Sequence, residues 1–250
     1  MMQLLNQSRA VRTKVLPEVR AAIADIDIDL DSVSNYETAI VEWLKPVIDL
    51  SQFNVYPMNG ITEGLNWWTG WDTRGIEVAE GDYQWISSTG RDIRYISIPS
   101  AIDGNFKDVP TDVPVALDLA YVGSTEIRPI TVSDNIELAF YSLSKPFGIR
   151  NVRTGWYFTR SKDARLEELT RSAKYFNYTA LAIAERIIKT FKIDYVYQQL
   201  RTTQLSICSQ YQFTPSDSVW LATSDDPMYS KFRRGHTNRL CLSDLISANL

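Results

Sequence analysis

Residues 53–58, Phe-Asn-Val-Tyr-Pro-Met, form a β-type run that ends at Asn59-Gly60. The chain then turns straight into the helix opening Thr62-Glu63-Gly64-Leu65-Asn66-Trp67-Trp68. Strand, glycine turn and helix in immediate succession is the building unit of α/β folds. Further short apolar runs follow at residues 76–78, 93–98, 113–118, 136–141 and 156–159, and each stops at polar or turn-forming residues. Strands that are apolar along their length, with polarity only at their ends, are those covered on both faces. The sequence therefore predicts an α/β fold with a mostly parallel sheet between helical layers.

The remaining segments read as helices around that sheet. Apolar residues recur every three to four positions from Ser8 to Asp25, which predicts one amphipathic helix kinked or interrupted at Pro17. The same spacing over residues 36–50, with Asn35 placed to cap it, predicts a second. Helical patterns continue over 163–174 and 179–201, and β-type runs at 218–222 and 239–242 suggest a smaller C-terminal layer. This divides the chain into an N-terminal helical arm (1–35), a large α/β domain (36–160), and connecting helices with a small C-terminal α+β portion (161–250).

Composition excludes several classes of function. With 44% hydrophobic residues the chain can build a large core, and 26 basic against 30 acidic residues leave a net charge of −4. That balance provides no general basic field for nucleic acid. The single histidine, His236, reads as a loop residue, and Cys208 and Cys241 read as reduced core thiols, so neither metal nor disulfide chemistry is expected. No signal pattern opens the chain and no apolar run approaches membrane-spanning length, so a soluble cytoplasmic protein is expected.

The densest chemical signal is residues 140–156, Phe-Tyr-Ser-Leu-Ser-Lys-Pro-Phe-Gly-Ile-Arg-Asn-Val-Arg-Thr-Gly-Trp. Lys145 follows a strand and two small hydroxyl residues, Ser142 and Ser144, and Arg153 lies eight positions on. Upstream, Asp118 closes an apolar run and Tyr121 follows three residues later. An isolated lysine in such a loop is usually a solvated surface residue, and an isolated aspartate after a strand is usually a helix cap. A lysine next to cationic groups in a partly buried site, however, is an activated amine.

Taken together and in this order, the segments resemble the fold-type I pyridoxal 5'-phosphate (PLP) enzymes, most of all the class I/II aminotransferases, as a short and divergent member with a three-layer α/β/α fold. The resemblance implies that Lys145 forms a Schiff base with PLP, that Asp118 holds a proton on the pyridine nitrogen, and that Tyr121 hydrogen-bonds the ring hydroxyl. It places Gly60, Ile61, Thr62, Ser142, Ser144 and Arg153 around the cofactor phosphate. Tyr83 would stack on the ring, with Trp85 as its rival. Tyr36 resembles a tyrosine that reaches the phosphate from the opposite subunit, which implies a homodimer with shared sites. Arg239 resembles the arginine that grips the substrate α-carboxylate, with Arg233 and Arg234 as competing candidates. The family's Asn-Pro-Thr-Gly-like loop appears here only as residues 98–105, without a counterpart for the asparagine that contacts the ring hydroxyl.

The implied activity is transfer of an amino group between an amino acid and a 2-oxo acid. The alternatives are another PLP reaction, decarboxylation or elimination, and a non-catalytic relative acting as a binding protein. A generic nucleotide-binding α/β protein would carry a glycine-rich phosphate fingerprint, and none is present.

Overall fold

The computed structural model describes residues 5, 11–26, 35–83 and 85–249. Its centre is a six-stranded sheet built from β1 (Asn54–Met58), β2 (Ile76–Val78), β3 (Ile93–Ser97), β4 (Val115–Asp118), β5 (Ile136–Tyr141) and β6 (Gly155–Thr159), in the order β1-β6-β5-β4-β3-β2. Neighbours from β2 to β5 are parallel, while β6 runs antiparallel to both β5 and β1. The mostly parallel sheet holds, with one reversed strand. β4 and β6 are buried at every residue, as expected of strands covered on both faces. Rings bind β5 to β6: Phe140 stacks on Tyr157 at 5.2 Å, and Tyr141 on Trp156 at 6.0 Å.

Helix α1 (Pro17–Ala22) is much shorter than the helix expected over 8–25. Pro17 starts it at its first turn and does not kink it, because a residue without an N–H loses nothing there. Residues 11–16 have no regular structure, and residues 8–10, with 1–4, 6–7 and 27–34 of the expected arm, lie outside the described residues. Helix α2 (Tyr36–Leu44) stops short of residue 50 at Pro46, which has no N–H to carry the helical hydrogen bonding on, and the Asn35 side chain makes no cap bond.

Helix α3 (Ile61–Trp71) follows β1 directly. Beyond β6, α4 (Ala164–Leu166) runs into a π-helical stretch, Glu167–Ser172. The helix expected over 179–201 is two helices, α5 (Tyr178–Thr190) and α6 (Tyr195–Tyr211). They part where Phe191 and Ile193 are buried, and the Phe191 carbonyl accepts the Trp43 indole N–H at 2.8 Å.

A second, antiparallel sheet follows, with order β7-β8-β10-β9: β7 (Thr214–Pro215), β8 (Leu221–Ser224), β9 (Arg233–Arg234) and β10 (Thr237–Cys241), before α7 (Ser243–Ser247). β8 begins later than residue 218 because Ser218 and Val219 donate to the Gly104 and Ser124 carbonyls of the large-sheet loops. Cys208 and Cys241 are free and buried, and His236 lies in the exposed β9–β10 turn. Among the described residues no helix is long and apolar enough to cross a membrane, and no group of three His, Cys, Asp or Glu is placed to hold a metal.

Candidate active site

β1, β4 and β5 point the same way, so their carboxyl ends open at one edge of the sheet, where open α/β sheets bind ligands. β1 delivers Gly60 and α3, β4 delivers Asp118, and β5 delivers the loop carrying Ser142, Ser144 and Lys145. The reversed β6 starts at that edge, which places Arg153 immediately before it. Around these residues lies a cavity of about 780 Å³, lined also by Ile61, Thr62, Tyr83, Trp85, Ala101, Tyr121, Arg234 and Arg239.

At one end, Gly60 has φ +89, and a Cβ there would stand 2.7 Å from Arg153 Nη2. A Cβ on Gly155 would stand 2.8 Å from the Gly60 Cα, so glycine is needed at both positions for this approach. Arg153 Nη2 donates to the Asn59 carbonyl at 2.9 Å, which holds the guanidinium beside the N-terminus of α3. A helix N-terminus next to an arginine is an anion-binding arrangement. Thr62 Oγ1 lies 2.7 Å from Tyr83 Oη. Ser142 lines the cavity, and its hydroxyl donates to the Thr154 carbonyl at 2.6 Å, which joins the end of β5 to the approach to β6. Ser144 Oγ, 2.9 Å from Ser142 Oγ, stays at the cavity.

Lys145 is half-buried, with its Nζ donating to the Val11 carbonyl at 3.1 Å and 6.0 Å from the centre of the Tyr121 ring. Burial, and then the positive charge of Arg239, pull its amine down to about 8. Asp118 is almost completely buried. It accepts a hydrogen bond from Tyr95 Oη on one oxygen and from the Ala120 N–H at 2.8 Å on the other. Burial pushes its carboxyl up to about 6, against these two donors. Tyr121 is buried at the cavity wall, and its phenol is likewise raised by burial.

Of the three candidate arginines, Arg239 and Arg234 line the cavity and Arg233 does not. Arg239, buried on β10, donates to the Ala101 carbonyl. Arg234 donates to the Gly81 and Asp82 carbonyls at 2.7 Å each. Ala101 occupies the cavity wall in the loop where the resemblance would place an asparagine. Tyr83 and Trp85 both reach the cavity, but Trp85 is 77% exposed while Tyr83 packs 6.5 Å from the Tyr95 ring. Tyr36 is not brought to the cavity: it packs edge-on against Phe176 at 5.6 Å, and its hydroxyl bonds Glu37 at 3.2 Å.

Residues missed from the sequence include Tyr95, Val11 and Arg12, which strand pairing and a long-range approach of the N-terminal segment bring to the site. Among the described residues the wall carries five arginines and Lys145 against a single carboxylate, Asp118. Such a cavity suits a ligand bearing more than one negative charge.

The chain has the fold of the fold-type I PLP-dependent enzymes. It superposes on PLP-bound histidinol-phosphate aminotransferase from Sinorhizobium meliloti with a TM-score of 0.66 and 11% identity, over 98% of this chain and 91% of that one. The PLP-bound C-S lyase from Staphylococcus hominis matches with 0.66 and 12%, over 96% and 88%. A probable N-succinyldiaminopimelate aminotransferase from Thermus thermophilus matches with 0.65 and 12%, over 96% and 91%. No protein-family model matches the sequence, and no curated protein matches it significantly.

Proposed function

We propose that this chain binds PLP and acts as an aminotransferase between an amino acid and a 2-oxo acid. The observation that carries this reading is the convergence of Lys145, Asp118 and Arg153 on one cavity. The residues fit the cofactor in kind: a glycine cradle beside Arg153 for a phosphate, a buried carboxylate for a ring nitrogen, and an activated amine for an aldehyde. PLP, when bound, supplies an electron sink for the bond broken at the substrate Cα.

Arg153, Gly60, Ile61, Thr62, Ser142 and Ser144 hold the phosphate in this reading, and Tyr83 covers one side of the ring. Asp118 holds a proton at the ring nitrogen, and Tyr121 faces the ring hydroxyl. Arg239 orients the α-carboxylate, and Lys145 Nζ would take the proton from Cα and deliver it to the cofactor carbon that carried the aldehyde. A carboxylate gripped by a guanidinium is retained and not expelled as carbon dioxide, so the arginine-lined wall favours transamination over decarboxylation. Elimination is the second reading, because a C-S lyase shares the fold at the same TM-score.

The domain division at residues 35 and 160 belongs to the same proposal. So does a cytoplasmic homodimer, which the free buried thiols suit. Tyr36 serves a partner's phosphate only if it leaves its contact with Phe176.

The test is borohydride reduction of the reconstituted protein followed by peptide mapping, with the cofactor expected on Lys145. Single half-reactions with a panel of amino acids should then convert the cofactor to its amine form and release a 2-oxo acid. Release of ammonia or carbon dioxide without that conversion overturns the aminotransferase reading, and a protein that takes up no PLP overturns the enzyme reading altogether.

A further inference from the structure

Two buried carboxylates lie beside β3: Asp118, 2% exposed, and Asp82, 5% exposed. Side chains two apart on a strand share a face, and Tyr95 and Ser97 are such a pair. Tyr95 Oη bonds Asp118, while Ser97 Oγ bonds Asp82 at 2.7 Å, so one face of one strand gives each carboxylate its own hydroxyl donor. The register puts Ser97 opposite Asp118, so the tyrosine leans along its strand to reach the carboxylate, and the short serine is left to Asp82.

We propose that Tyr95 is a positioning residue: its buried phenol holds the Asp118 carboxylate in one orientation and in its charged form at the cavity. This rests on the reading of Asp118 as the partner of a ring nitrogen.

The choice of tyrosine has a physical reason. Burial raises the Tyr95 phenol well above its ordinary value, so it stays protonated and acts only as a donor throughout the neutral range. A histidine in that place would titrate near neutrality and alter the carboxylate's charge with pH. The other ionisable groups acting on Asp118 come from separate elements: Asp82 from the turn after β2, which opposes its charge, and Lys145 from the loop after β5, which favours it. Tyr95 is therefore the donor that offsets desolvation without introducing a second titration. The Ala120 N–H supplies the other oxygen at 2.8 Å, so each carboxylate oxygen holds one donor and the plane of the group is fixed between them.

The test needs no turnover. In cofactor-free protein, the carboxyl carbon of Asp118, assigned by its loss in Asp118→Asn, is titrated by carbon-13 NMR. In Tyr95→Phe its midpoint should rise by at least about one pH unit, since one pKa unit matches a tenfold loss of preference for the charged form. PLP affinity, measured by fluorescence quenching, should fall about tenfold in Tyr95→Phe, yet Tyr95→Phe should have no further effect in an Asp118→Asn background. An unchanged midpoint, or an equal loss in both backgrounds, overturns the proposal, because a merely structural tyrosine acts regardless of residue 118. If Tyr95→Phe fails to fold, the wild type still decides: the Tyr95 hydroxyl proton should give a slowly exchanging downfield resonance, and its absence overturns the proposal. A protein that binds no PLP sinks the functional reading, while the carboxyl titration still judges Tyr95.

Discussion

Lys145 Nζ donates a 3.1 Å hydrogen bond to the carbonyl of Val11, which ties the amine at the heart of the cavity to a segment 134 positions away in sequence. That segment is anchored from several sides. Thr13 Oγ1 donates to the Ser144 carbonyl at 3.3 Å, and Ser243 Oγ donates to the Arg12 carbonyl at 2.8 Å. Gly148, with φ +72, lies so close that a Cβ would fall 2.3 Å from the Lys14 carbonyl carbon. The contact is with backbone, which cannot swing aside.

Gly148→Ala is expected to lose about 2–4 kcal/mol of stability, combining left-handed strain with overpacking. Denaturant unfolding measures this. A variant as stable as wild type would show that the strap does not lie where it is described.

Lys145 carries a pH signature in the cofactor-free protein. Its folded value, about 8, lies below the ordinary lysine value, so the folded state holds this proton less well than the unfolded chain. The resulting cost is fully present below pH 8 and fades as pH rises toward the unfolded pKa. Lys145→Met, which keeps the stem and removes the charge, should be more stable than wild type at pH 7 by about 1–2 kcal/mol. The gap should shrink between pH 8 and 10, and thermal melts across that range provide the check.

Asp118 has the opposite signature. Its carboxyl is raised to about 6, so the desolvation cost is fully present above pH 6 and is relieved as pH falls toward the ordinary carboxylate value. Asp118→Asn should flatten the stability profile between pH 6 and 4 and weaken PLP binding at least about tenfold, as one kcal-scale ion pair is removed. A profile unchanged by the substitution would mean that Asp118 is not desolvated.

The phosphate cradle is tested at Gly60. A methyl group there forces a residue of φ +89 into strain of about 1–2 kcal/mol and displaces the Arg153 guanidinium. Gly60→Ala is expected to weaken PLP binding about tenfold or more while the fold survives. Titration calorimetry against PLP decides; wild-type affinity in the variant would remove the cradle from the reading.

Much of the fold is legible because its code is local. Apolar runs with polar ends predict β2 to β6 within a residue or two, and Asn59-Gly60 marks the turn into α3. The errors fall where tertiary contacts outweigh local pattern. Phe191 and Ile193 fit helical spacing, but the core takes them out of a helix. Residues 11–16 have amphipathic spacing, yet they lie across Gly148 and Lys145 without helical structure.

Sequence by itself determined the kinds of groups available and the strand ends that bear them: an amine at 145, a carboxylate at 118, a guanidinium at 153 and glycine at 60. Only the tertiary structure decided their company. Strand order brings three carboxyl ends and the start of a reversed strand to one edge, the pairing of β3 with β4 brings the Tyr95 hydroxyl within reach of Asp118, and a distant segment closes over Lys145. Charge state and hydrogen-bond partner depend on burial and on neighbours remote along the chain, and those are properties of packing that no local pattern encodes.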